Sequence, residues 1–265
     1  MTTPAYKTIE FHTDARGVAR LTLNRPEMKN AMNGDMYDEA RAVVAQVDAD
    51  PAIRVLVLAA AGDAFCSGGD FKYQQSQATR KHGERIAEAS KLARWLAELD
   101  TLSKPLLGRI NGAAYGGGVG LVAVCDVAVA ARDVRFCLSE VSLGLMPSMI
   151  SPYVVRKMGV GHARSVFLNA TPFDAAKAQA IGLVHEVVER AELDAAIERH
   201  IAGYLRCAPG AVAATKRLID FVDRHDTAAN FHYSVDRVAE MWASEEAAEG
   251  IGSFFEKRKP AWAMR

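Results

Sequence analysis

Three consecutive glycines, Gly116-Gly117-Gly118, followed by Val119-Gly120, stand between an apolar strand-like run and an apolar helix-like run. A side-chain-free backbone at a strand-to-helix turn lets its amide N–H groups face a ligand. It also reaches backbone angles closed to other residues. The helix that follows adds the positive end of its dipole. Such a turn suits a developing negative oxygen. It equally suits a tight loop that needs positive φ, so the neighbouring sequence must decide.

Net charge narrows the partners. The chain has 265 residues, with 32 Lys+Arg against 32 Asp+Glu. That balance gives no reason to expect nucleic acid or an anionic membrane surface, so an anionic ligand needs local charge. Cys66, Cys125, Cys137 and Cys207 form neither a CxxC pair nor a Cys/His cluster with zinc spacing, and no metal site is expected. The seven histidines are scattered, none pairs with a carboxylate at a useful spacing in the sequence, and His162 is not read as catalytic. The first residues carry no apolar run behind a basic patch. The apolar stretch from Val119 is broken by Asp126, too soon to span a bilayer. These features predict a reduced, cytoplasmic setting without a membrane partner.

The patterning alternates strands and helices. Residues 8–11 and 18–23 alternate as two strands, and Pro26 stops the second. Asn33 predicts the cap of a helix to about Val47, with Met36, Ala40, Val43, Val44 and Val47 on one face. Val55-Leu56-Val57-Leu58 and residues 105–110 read as buried strands. Residues 72–83 read as a polar, mobile loop, and residues 86–99 as a helix. After the glycine run come a helix over 118–125 and strands at 127–130 and 135–138. Helices follow over 151–158, 160–168 and 174–180, then a strand-like run at 183–188. From about residue 191 the pattern is almost wholly helical. The order predicts an α/β core over 1–190 and an all-α C-terminal segment over 191–265.

Two glycine-rich loops each follow a buried strand. One ends in Gly68-Gly69-Asp70, and the other holds Gly116-Gly117-Gly118. Two N–H groups from separate loops are what an oxyanion hole needs, and losing one such donor typically costs roughly 3–4 kcal/mol of transition-state stabilisation. Neither loop fits GxGxxG, and GxxxxGK is absent from the sequence, which disfavours dinucleotide and P-loop readings.

Several motifs in order then resemble one family. They are Asn24-Arg25-Pro26-Glu27 with Asn30-Ala31-Met32-Asn33, Phe65-Cys66-Ser67-Gly68-Gly69-Asp70-Phe71, and Lys104-Pro105 leading to Asn111-Gly112 and Gly116-Gly117-Gly118. Cys125-Asp126, Phe136, Glu140, Gly144 and Phe255-Glu256-Lys257-Arg258-Lys259-Pro260 continue the match over nearly the whole chain. The chain resembles the enoyl-CoA hydratase/isomerase (crotonase) superfamily. The resemblance implies a spiral core of repeated ββα units with an all-α C-terminal segment. It implies that the Gly69 and Gly117 N–H groups bind the thioester oxygen of an acyl-CoA, with coenzyme A as part of the substrate and no separate cofactor. Cys66, Ser67, Gly68, Asp70, Phe71 and Gly116 would line the substrate. Arg25 and Lys257 would lie near CoA phosphates, and Asp70 would hydrogen-bond loop amides. A homotrimer or homohexamer is implied as well.

The resemblance also singles out two acid positions. Hydratases of the best-known type carry a glutamate three residues after the middle glycine and another twenty residues further on. The first position here is Gly120, and the second is Glu140. A lone glutamate in a desolvated pocket can have its pKa raised and serve as both base and acid. Gly120 removes a side chain, which is expected to open space for a branched acyl group or a substrate carboxylate. Residues 136–141 and 150–155 resemble the methylglutaconyl-CoA- and carboxygeranoyl-CoA-hydratase-like branch. Tyr115, Cys137, Ser139 and Met146 are candidates for the acyl pocket. The leading expectation is hydration of a branched 2-enoyl-CoA. The alternatives are Δ3,Δ2-enoyl-CoA isomerisation through Glu140 alone, and an inactive CoA-ester-binding homologue.

Overall fold

The computed structural model describes residues 6–263; the first five residues, and with them most of the opening stretch read for a leader, lie outside it. The strands and helices, in chain order, are β1 (Ile9–Thr13), β2 (Val18–Leu23), α1 (Gly34–Ala49), β3 (Val55–Ala60), β4 (Ala64–Cys66), α2 (Phe71–Ala78), α3 (His82–Asp100), β5 (Leu106–Ile110), β6 (Ala113–Tyr115), α4 (Gly117–Ala123), β7 (Val127–Ala131) and β8 (Arg135–Cys137). They continue with α5 (Ser151–Phe167), β9 (Phe173–Asp174), α6 (Ala175–Ala180), β10 (Glu186–Val188), α7 (Leu193–Leu205), α8 (Pro209–Arg224), α9 (Thr227–Trp242) and α10 (Glu245–Phe255).

The strands sort into two sheets by a simple alternation. One sheet has the order β1-β2-β3-β5-β7-β10, the other β4-β6-β8-β9. Each pair β3/β4, β5/β6 and β7/β8 therefore gives its first strand to one sheet and its second to the other. A helix then returns the chain to the next pair, which makes a spiral of ββα turns. Within each sheet the strands of successive turns run parallel. Burial explains the composition of the larger sheet. All six residues of β3 are buried, so it reads as an unbroken apolar run rather than an alternating one.

Asn33 caps α1 by accepting the Met36 N–H at 3.0 Å, and the helix buries Met36, Tyr37, Ala40, Val43, Val44 and Val47 as its spacing predicts. The segment Ser151–Phe167 is two helical stretches that meet at Gly159, whose φ of 76° and ψ of 157° are not helical, so the expected separation of 151–158 from the helix after it holds. Residues 72–83 depart from expectation. They are largely helical, because the Asp70 side chain accepts the Lys72 and Tyr73 N–H groups and starts α2. The C-terminal segment is not uniform either. Helix α7 buries Leu193, Ala196, Ile197 and Ile201 and packs on β3, β5 and β7, whereas α8 and α9 bury none of their residues. No helix among the described residues is long and apolar enough to cross a membrane.

One buried polar residue holds the first glycine loop in place. Asn30 has no exposed surface and a left-handed φ of 53°. Its Oδ1 accepts the Arg25 N–H at 2.9 Å, and its Nδ2 donates to Ala61 O at 2.8 Å and Ala64 O at 2.9 Å. Asn30→Ala leaves these backbone groups buried without partners and places a Cβ residue without a local hydrogen bond at positive φ. Urea unfolding of Asn30→Ala is expected to show a loss of about 2–4 kcal/mol. A loss within the ordinary surface range of about 0.5 kcal/mol would contradict this role.

Candidate active site

The spiral brings the two glycine loops into contact through backbone rather than side chains. Strands β4 and β6 run parallel with Cys66 opposite Ala114, so the turns that follow them lie side by side. A Cβ built on Gly118 would lie 2.5 Å from the Cys66 carbonyl oxygen, and one on Gly68 3.1 Å from the Tyr115 carbonyl oxygen. Gly68 also holds φ at 96° and Gly116 at 50°, both in the region that favours glycine. The repeated glycines are therefore needed for approach as well as for angle.

Gly69 and Gly117 sit where this packing leaves their amides open. Each is partly exposed, while Gly68, Asp70, Gly116 and Gly118 around them are buried. Met32 N–H donates to Gly68 O, and Asp70 N–H donates to Met32 O, both at 2.8 Å. In this parallel bridge between Met32 and Gly69, the amide of Gly69 itself faces away from Met32. Neither the Gly69 N–H nor the Gly117 N–H is donated to another described group.

The third element arrives from the next turn of the spiral. Strand β8 pairs in parallel with β6, placing Tyr115 opposite Cys137, and Gly116 N–H donates to Cys137 O at 2.8 Å. Three residues later, Glu140 opens a short 3-10 turn, Glu140–Leu143. Its carboxylate reaches back over the glycine run, and a Cβ on Gly116 would lie 2.9 Å from Glu140 Oε1. Glu140 Oε2 is buried without a hydrogen-bond partner. Burial raises the Glu140 pKa above its ordinary 4.5, with its own backbone N–H opposing. A carboxyl of raised pKa thus stands beside an open N–H donor.

The space beside Gly120 differs from the expectation. A Cβ on Gly120 would lie 2.2 Å from Ile150 Cγ2 and 2.8 Å from Ile150 Cβ, and Ile150 is itself buried. Apolar packing, not a ligand-sized opening, takes the place of the missing acid.

Other expected residues divide between the site and its scaffold. Arg25 Nη2 pairs with Asp70 at 3.0 Å and Nη1 donates to Ala31 O at 2.5 Å, so its guanidinium braces the loop rather than standing free for phosphate. Asp70 is held by Arg25 and by the α2 amides, and its pKa lies below the ordinary value because these hydrogen bonds outweigh its burial. Cys66 is buried behind Gly118, and burial pushes its thiol up to about 12. Ser67 is exposed, with its N–H on Lys29 O at 3.0 Å. Phe71 is 72% exposed at the start of α2, a free apolar surface at the loop's edge. Cys137 Sγ turns to Ala170 O at 3.2 Å, and Met146 is exposed. Lys257 lies just past α10, and no hydrogen bond or ion pair among the described residues joins it to the glycine turns.

Two further side chains back the donors, Gln74 and Met32. A Cβ on Gly69 would meet Gln74 Nε2 at 2.2 Å, and one on Gly117 would meet Met32 Cε at 2.3 Å. Asp70 as a helix cap was a usable signal for Gln74, one turn into α2; the reach of Met32 had none. Away from the site, a cavity of about 930 Å³ lies between α8 and the far end of α4. Its charges pair internally, as Lys216 with Asp126 at 2.6 Å and Arg156 with Asp100. No group of His, Cys, Asp and Glu among the described residues could hold a metal ion.

The raised Glu140 pKa has a measurable consequence. Well below pH 4.5 the carboxyl is neutral in both folded and unfolded chains. As pH rises above that value the unfolded chain ionises first, which lowers folded stability until pH passes the elevated folded pKa, where the loss relative to an uncharged side chain levels off. The melting temperature of Glu140→Gln relative to wild type is therefore expected to rise between pH 4.5 and pH 8. A pH-independent difference would contradict a desolvated Glu140.

This geometry has relatives. A family model described as enoyl-CoA hydratase/isomerase matches residues 13–265. A crotonyl-CoA hydratase of Syntrophomonas wolfei is 30% identical over 257 residues, covering 96% of this chain and 97% of that protein. The solved structure of Pseudomonas aeruginosa AtuE matches with a TM-score of 0.94 at 38% identity, covering 97% of this chain and 100% of that one. An enoyl-CoA hydratase from Shewanella pealeana matches with a TM-score of 0.93 at 35% identity, covering 97% and 96%. The chain belongs to the enoyl-CoA hydratase/isomerase family.

Proposed function

We propose that this chain adds water across the double bond of a 2-enoyl-CoA, with coenzyme A entering as part of the substrate. The observation that carries the reading is the half-buried Glu140 carboxyl, whose Oε2 is buried and unpartnered, beside the turn that presents the Gly117 N–H. The Glu140 carboxylate takes a proton from water, and the water oxygen bonds to C3. The double-bond electrons move to the thioester oxygen, where the Gly69 and Gly117 N–H groups meet the developing charge. The Glu140 carboxylic acid then gives its proton to C2, the enolate collapses, and the carboxylate is restored. One carboxyl thus closes the proton balance without a second acid.

The lone carboxyl also favours a second reading. Glu140 could remove a C2 proton from a 3-enoyl-CoA and return it at C4 through the same enolate. A branched acyl group keeps only the resemblance of residues 136–141 and 150–155 behind it, since Ile150 occupies the space that Gly120 frees. Of the two cations assigned to CoA phosphates, Lys257 remains the candidate.

Absorbance at the enoyl-thioester band separates the readings. It falls on hydration of a 2-enoyl-CoA and rises on isomerisation of a 3-enoyl-CoA. Glu140→Gln is expected to reduce the active reaction by roughly 10²-fold or more. Full activity in that variant would remove Glu140 from the chemistry. No absorbance change with either substrate, together with a thermal shift from CoA esters, would favour a binding protein.

Self-association completes the proposal. Helix α9 exposes Phe231, Val235, Val238 and Trp242, and α10 exposes Ile251, Phe254 and Phe255. A helical segment this apolar on its open face suits burial against further copies of the chain. Light scattering is expected to give the mass of three or six copies. A monomer at micromolar concentration would contradict the homotrimer or homohexamer.

A further inference from the structure

We infer that Met32 is a positioning residue that joins the two oxyanion donors into one rigid unit; this rests on the enoyl-CoA reading above. Met32 touches both donor turns, and it touches them by different means. Its backbone N–H and C=O hold Gly68 and Asp70, the residues on either side of Gly69, at 2.8 Å each. This clamp fixes the planes of both peptides flanking Gly69 and turns the Gly69 N–H away from Met32. Its side chain runs to the other turn, where Cε fills the place a Gly117 side chain would take, 2.3 Å from a Cβ built there. Leu92 Cδ2 backs the same position at 3.7 Å.

The strut has firm anchors at both ends. Met32 has no exposed surface. Asn33, its neighbour, caps α1, and Asn30, two residues before it, is held by the three hydrogen bonds already described. A shift of the Met32 backbone moves Gly69, and a void at its side chain lets Gly117 move. The two donors otherwise belong to different turns of the spiral, and a reacting oxygen needs both at once. A donor displaced by a fraction of an ångström lowers transition-state stabilisation without weakening the many contacts that hold the rest of an acyl-CoA.

The test compares Met32→Ala and Met32→Leu with wild type, using crotonyl-CoA for turnover and a conjugated dienoyl-CoA as a spectral probe. Polarisation of the bound thioester by both donors shifts its absorbance to longer wavelength. Met32→Leu keeps the core volume but withdraws the terminal methyl from Gly117. It is expected to retain its melting temperature, to lose at least fivefold in kcat with KM within twofold, and to show a diminished red shift. Met32→Ala is expected to lose at least twentyfold in kcat. A folded Met32→Leu with the wild-type kcat and red shift would overturn the strut while leaving the enoyl-CoA reading intact. A wild-type protein with neither turnover nor red shift would overturn both.

Discussion

Contact between two bare backbone turns carries the whole site. The turn after β4 and the turn after β6 approach so closely that a Cβ on Gly118 would stand 2.5 Å from the Cys66 carbonyl oxygen. No rotamer change relieves a clash with backbone. Parallel pairing of β4, β6 and β8 sets that approach, and the ββα spiral sets the pairing. The open N–H groups of Gly69 and Gly117, and the reach of Glu140 over Gly116, follow from the same register. The proposed chemistry would thus be an outcome of three successive turns lying side by side, each contributing one piece.

Glu140 gains its character from what surrounds it rather than from a charged neighbour. Its raised pKa comes first from burial, and one of its oxygens finds no partner. An ion pair would have lowered the pKa and spent the carboxylate, as Arg25 does for Asp70. The two acids therefore diverge by environment: Asp70 stays ionised and holds the loop, while Glu140 is available for proton transfer. Ile150 adds to the contrast. It fills the space at Gly120, where the family's second acid would stand, with hydrocarbon.

Local signals in the sequence were readable where periodicity or a cap was strong. Helix α1, with its Asn33 cap and apolar stripe, and the buried runs of β3 and β5 fall where the pattern puts them. The strands of the smaller sheet, two or three residues each, are too short to show a period, and their pairing is nonlocal. Helix α2 was hidden because Gln74, Gln75, Ser76 and Gln77 carry no apolar stripe, and only the Asp70 cap marks its start. In the site, the glycine runs and Glu140 were legible as residue types at spacings that resemble a family. The role of Arg25 was not, since a lone arginine in sequence does not reveal the aspartate 45 residues on that binds it. Nor could Gly120 reveal Ile150, which comes from the following helix's approach.

In the proposed reaction the Gly69 and Gly117 N–H groups converge on one oxygen beside Glu140. A crystal structure with a bound saturated acyl-CoA tests it most directly. The thioester oxygen is expected within about 2.7–3.1 Å of both amide nitrogens, with the Glu140 carboxyl facing the C2–C3 bond. A thioester oxygen bonded to neither amide, or an acyl chain lying away from Glu140, would contradict it.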